Sequence, residues 1–141
     1  MPAWVDLGVH QIDNKQYADA QTSLEHAQQL GRTDAIAMTA LGSAYRGRSA
    51  DYPPGAPERT QFIQQAEASY KRALAANPSY GPAYYDLGLL YLDADPFPSG
   101  SGTLDTMQRL DAAKNYFDQY KNMPGVDRKL YEERNKDVTK A

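Results

Sequence analysis

The chain has 141 residues, 41% of them apolar and 23% charged, with a net charge of -3 and no cysteine. That size and balance fit one globular domain with a core of its own. The missing cysteine excludes disulfides, thiolate metal sites and thiol nucleophiles, and an acidic pI of about 5.3 argues against electrostatic nucleic-acid binding.

Taken in chain order, the apolar residues recur at helical spacing. A first helix is predicted around Trp4-Val5-Asp6-Leu7-Gly8, and a second around Ala20, Leu24 and Ala27. The first pattern returns as Met38-Thr39-Ala40-Leu41-Gly42 with Tyr45 three residues on, and again as Tyr84-Tyr85-Asp86-Leu87-Gly88 with Tyr91. The second returns as Ala66, Tyr70, Ala73 and as Ala113, Phe117, Tyr120, with the same steps of four and three. Those steps place each triplet on one helix face. Pro78 and Pro124 follow as helix terminators. A last amphipathic stretch, residues 126–139, sets Val126, Leu130, Tyr131 and Val138 against a broad charged face and predicts a capping helix.

The spacing also locates insertions. Gly8 to Ala20 is 12 residues, but Gly42 to Ala66 is 24 and Gly88 to Ala113 is 25. The extra residues fall at about 47–61 and 93–106, inside helix pairs and never between them. Each insertion sets Asp before prolines, one aromatic (Tyr52 or Phe97) and a glycine. Such stretches read as turns, and part of each extends the following helix back to Gln61 or Thr106. The Ser99-Gly100-Ser101-Gly102 run reads as flexible. Stacked pairs would bring both insertions to one edge, where Tyr52 and Phe97 are candidates for binding or for packing against their own helices.

This order of aromatic, Leu-Gly, Tyr, then Ala, aromatic, Ala and Pro resembles the tetratricopeptide repeat family over about residues 2–125. Trp4 to Met38 is 34 residues, the family period. Departures are Gln11 for Tyr, Arg32 for Pro and Tyr120 for a small residue. The resemblance implies an all-α, right-handed solenoid of helical hairpins with three repeats (2–34, 35–80, 81–125) and the cap. Gly8, Gly42 and Gly88 would allow close helix approach, with Ala20, Ala66 and Ala113 as the opposing small residues.

In this family the first helix of each pair lines a concave, partner-binding surface. Carried over, its residues are Val5, Val9 and Ile12, then Thr39, Ser43 and Arg46, then Tyr85, Leu89 and Leu92. Six of these nine are apolar, as expected of a groove for an apolar or amphipathic segment. The carboxylate-holding subtype does not fit, because its positions here are Val5, Val9, Ala40, Pro82 and Asp86. Asp86 itself reads as solvated or hydrogen-bonded.

The expected function is therefore a protein-interaction module, neither enzyme nor cofactor carrier, that binds a protein or peptide partner. Bacterial members of the family often sit in envelope, pilus or motility assemblies. The alternative is a structural or self-associating segment of a larger protein, with contacts through the insertions. His10, expected partly buried, and His26, expected solvated, lack metal-ligand spacing. A hydrolase hidden in the insertions would need Asp93, Asp95 and Asp105 to converge, and calcium would add Ser99 and Ser101. No apolar run approaches the roughly 18 residues of a membrane span. The expectation is a soluble chain, cytoplasmic or, if cut from a signal-bearing parent, periplasmic.

Overall fold

A computed structural model describes residues 3–100 and 102–140. Among them are seven helices: α1 (Trp4–Asp13), α2 (Tyr17–Gln29), α3 (Ala35–Ser49), α4 (Pro57–Ala76), α5 (Gly81–Asp93), α6 (Thr106–Lys121) and α7 (Arg128–Lys140). A short antiparallel hairpin, β1 (Pro98–Ser99) with β2 (Gly102–Thr103), lies between α5 and α6. The chain is thus all-helical apart from this hairpin. No helix is long and apolar enough to cross a membrane.

Helix ends follow local chemistry. Asp34 caps α3 by accepting from the Ala37 N–H at 3.0 Å, and Asp105 forms a capping box with Gln108 on α6. Helix α2 ends in a Schellman turn: Gly31 adopts φ +93, and the Arg32 N–H donates to the Ala27 carbonyl at 2.9 Å. Proline at position 32 could not make that bond. The Asp127 carboxylate accepts from the Leu130 N–H at 3.0 Å and starts the last helix two residues later than the sequence pattern places it.

Successive helices pack antiparallel around one core. Three contacts repeat in register: a methyl added at Gly8 would lie 2.4 Å from Leu24, at Gly42 2.6 Å from Tyr70, and at Gly88 2.5 Å from Phe117. The atoms nearest each glycine thus belong to Leu24, Tyr70 and Phe117, four residues after Ala20, Ala66 and Ala113, the expected opposing small residues. Those alanines are 0% exposed and face the core beside them. Each large side chain lies flat on a bare patch of helix backbone, and its burial is worth about 1.5–3 kcal/mol. Gln11, standing where the repeat has Tyr, accepts from the Ser23 hydroxyl at 2.7 Å. The repeat tyrosines instead reach back to the preceding helix: the Tyr45 hydroxyl donates to Glu25 at 2.7 Å, and that of Tyr91 donates to Glu67.

The first insertion is mostly helix. Helix α3 runs to Ser49 and α4 begins at Pro57, four residues before the expected limit, with proline in its first turn. The second insertion holds the hairpin, in which Ser99 and Gly102 of the glycine-rich run face each other as strand partners; Ser101 lies outside the described residues. Arg109, 7% exposed, secures this insertion. Its guanidinium donates to the Tyr91 carbonyl at 2.8 Å and to that of Leu92, and lies 3.8 Å from Asp95. These bonds satisfy carbonyls that the end of α5 leaves free.

Candidate functional site

Helices α1, α3 and α5 lie side by side, α3 in contact with both others. The starts of α3 and α5 meet where Asp34, Ala35 and Ile36 face Tyr80, and their ends meet where Ser49 and Ala50 face Asp93 and Ala94. The two helices therefore run parallel, and their residues can be compared level by level. The meeting of Ala50 and Ala94 also brings both insertions out at one edge, as stacking requires.

The nine expected groove residues divide. Val5 and Thr39 are buried, at 5% and 7% exposure, and cannot meet a partner directly. Val9 is exposed, and Ile12, Ser43, Arg46, Tyr85, Leu89 and Leu92 are half-buried. Ile12, Ser43 and Arg46 line one cleft of about 400 Å³ with Tyr17. Tyr85 leans on Tyr120 and Phe117, with ring centres 5.3 and 5.8 Å away, and Arg134 of α7 approaches its hydroxyl. The last helix thus borders this face at the α5 end.

Neither insertion aromatic is presented to solvent. Phe97 is 1% exposed and stacks on Tyr91 at 4.0 Å. Tyr52 stacks on Phe62 at 5.9 Å, and the Arg48 guanidinium covers the same Phe62 ring at 4.7 Å. Of the two readings of these aromatics, packing inward describes Phe97 fully and Tyr52, which stays half-buried, in part. The insertion carboxylates are also committed separately. Asp93 pairs with Arg46 at 2.7 Å, Asp95 lies beside Arg109, and Asp105 caps α6. Among the described residues no three His, Cys, Asp or Glu side chains converge as metal ligands would. His10, expected partly buried, is exposed and hydrogen-bonds Asn14 at 3.1 Å, while exposed His26 meets Trp4 edge-on.

Two polar residues on the α3–α5 face differ from their sequence reading. Burial pushes the Asp86 carboxyl up to about 7, although the Arg46 guanidinium draws it down. No hydrogen bond to another described residue offsets that desolvation. Thr39, on the facing helix, keeps a buried hydroxyl without a hydrogen-bond partner among the described residues. Nearby, the Ser43 and Tyr70 hydroxyls share a hydrogen bond of 3.0 Å, and Tyr70 feels the Asp86 charge. The signal for Asp86 was a carboxylate inside the apolar stretch Tyr84–Leu92. Compared with protein-family models and with curated proteins, the chain gives no match.

Proposed function

We propose that the chain is a tetratricopeptide-like solenoid that binds a segment of a partner protein on the face made by α1, α3 and α5, by shape and apolar complementarity and without catalysis. The observation that carries this is the half-open apolar lining of that face. Val9, Ile12, Tyr85, Leu89 and Leu92 stay partly accessible on the first helices, while the second helices bury Leu24, Tyr70 and Phe117 to 1% or less. Apolar side chains left accessible together mark interaction surfaces. The thrice-repeated glycine contact supports the repeat reading, since like units stack with like geometry.

A pull-down with the wild-type domain against a Val9→Asp/Leu89→Asp double variant tests this. Partners retained by the wild type should be lost with the variant at an unchanged helical circular-dichroism signal. Retention of the same partners by both proteins rejects the groove. Val5→Asp is not a usable probe, because Val5 is in the core.

A second reading, end-on self-association, is favoured by Leu7. Leu41 and Leu87, its counterparts, are 2% and 0% exposed in helices that follow a packed neighbour, whereas Leu7 is 42% exposed on α1. A solution mass above the monomer that falls on Leu7→Lys supports this reading; a monomer in both proteins rejects it.

A further inference from the structure

We propose that the face between α3 and α5 receives a cationic side chain, a lysine or arginine borne on an otherwise apolar partner segment, against the Asp86 carboxylate. The inference rests on the groove reading and names the chemistry of its occupant.

The argument is a comparison of two levels of the same helix pair. At the upper level, Arg46 on α3 meets Asp93 on α5 at 2.7 Å. Seven residues earlier on each helix, about two turns or roughly 10 Å lower, stand Thr39 and Asp86. The helices run parallel, so these two occupy the corresponding places. The acidic half of the pair is present again, but the basic half is replaced by a side chain too short to reach it. Asp86 is left without a partner: it is half-buried, burial raises its carboxyl and it makes no hydrogen bond among the described residues, while Thr39, itself buried, offers it no charge. Arg46 is held by Asp93 and does not supply the missing contact.

What is missing must donate hydrogen bonds to a half-buried carboxylate and balance its charge. An ammonium or guanidinium does both, and an anion or an apolar group does neither. The walls suit the stem of a long basic side chain, since Leu89 and Tyr85 are half-buried beside Asp86 on α5. The charged and titratable groups facing Asp86 are Arg46 from α3, Tyr70 from α4, and Tyr80 and Tyr85 from α5 and the turn before it. Burial raises all three tyrosines, so they stay neutral near pH 7 and leave Asp86 as the acidic group there.

The test pans a phage-displayed library of random peptides, each roughly a dozen residues, on the wild type, Asp86→Asn and Leu89→Asp proteins. Peptides held by the wild type should share one Lys or Arg among apolar residues. A synthetic copy should bind about tenfold more weakly when that residue becomes norleucine, and about tenfold more weakly to Asp86→Asn. The two changes together should cost no more than either alone. Binding to the wild type should also tighten as pH rises through about 7, where Asp86 ionises, and be flat with Asp86→Asn. Peptides that need Leu89 but carry no basic residue, or bind Asp86→Asn equally well, overturn the inference and leave the groove standing. Peptides indifferent to Leu89→Asp overturn both. The norleucine change leaves the protein untouched, so loss of folding cannot imitate the expected result.

Discussion

Gly88→Ala sets two effects of known sign against each other. In an open helix, alanine is better than glycine by about 1 kcal/mol, because glycine loses more backbone freedom on folding. Here the new methyl would lie 2.5, 2.6 and 2.8 Å from three ring carbons of Phe117. Carbon atoms in contact prefer about 3.5–4.0 Å, so helix and ring must part by roughly 1 Å. The ring cannot yield freely: Phe117 is 0% exposed, and Tyr85 packs 5.8 Å away. Overpacking of this kind costs about 1–3 kcal/mol, and a clash against a held ring belongs at the upper end. The net expectation is a loss of about 1–2 kcal/mol, or a Tm lower by about 3–8 °C, measured by urea and thermal unfolding. Phe117→Ala alone should cost about 3–5 kcal/mol. In the double variant the added methyl enters the vacated space and only its helix gain remains, so the combined loss should fall short of the sum by about 2–3 kcal/mol. A Gly88→Ala protein more stable than the wild type, or a strictly additive double variant, would refute the close-packing account of the repeated glycine.

Arg109→Met should destabilise by about 2–3 kcal/mol, because the end of α5 loses its donor, and hydrogen exchange should quicken around β1 and β2. Thr39→Val replaces an unpaired buried hydroxyl by a methyl of the same shape and should stabilise by about 1 kcal/mol in urea unfolding; an unchanged or lower stability would refute the unpaired hydroxyl. Asp86 has its carboxyl raised from 3.8 to about 7 on folding, so the native state binds the extra proton. Its contribution is fully present below about pH 4 and is lost as pH rises through about 7. Asp86→Asn should therefore stabilise the domain at about pH 8, on the order of 2 kcal/mol, with little change at about pH 4; equal effects at both pH values would refute the assignment.

Features set by local periodicity could be read from the chain. The helix pairs, their order and the place of the insertions follow from spacings of three, four and seven residues, which geometry converts directly into faces. The inner course of the insertions could not. An aromatic in a polar loop, such as Phe97, satisfies the same composition whether it projects or folds back, and only the space beside Tyr91 decides. The early start of α4 did leave a trace, Pro57 in its first turn. Arg109 left another: it stands four residues before Ala113 on the buried stripe that continues to Phe117. An arginine on that stripe must find acceptors within the fold, yet the sequence does not say that they are the last carbonyls of α5. Asp86 needed both the helix register and the facing Thr39 to acquire meaning.

The repeats separate architecture from recognition by where they agree. Gly8, Gly42 and Gly88, each following a leucine, are identical at the three corresponding places and fix how helices meet. At neighbouring positions of the same helices they diverge: Val5, Thr39 and Tyr85 at one level, Asp6, Ala40 and Asp86 beside it, Ile12, Arg46 and Leu92 higher up. A stack built for shape alone gains nothing from a desolvated carboxylate, which opposes folding at neutral pH until a cation meets it. Arg46 provides that cation for Asp93 within the chain, and Thr39 withholds it from Asp86. Under the proposed groove, the cost carried by the free protein would become affinity for a segment that brings the missing charge. On that proposal specificity is best placed at the level of Thr39 and Asp86, because an uncharged competitor would leave the half-buried Asp86 without a partner.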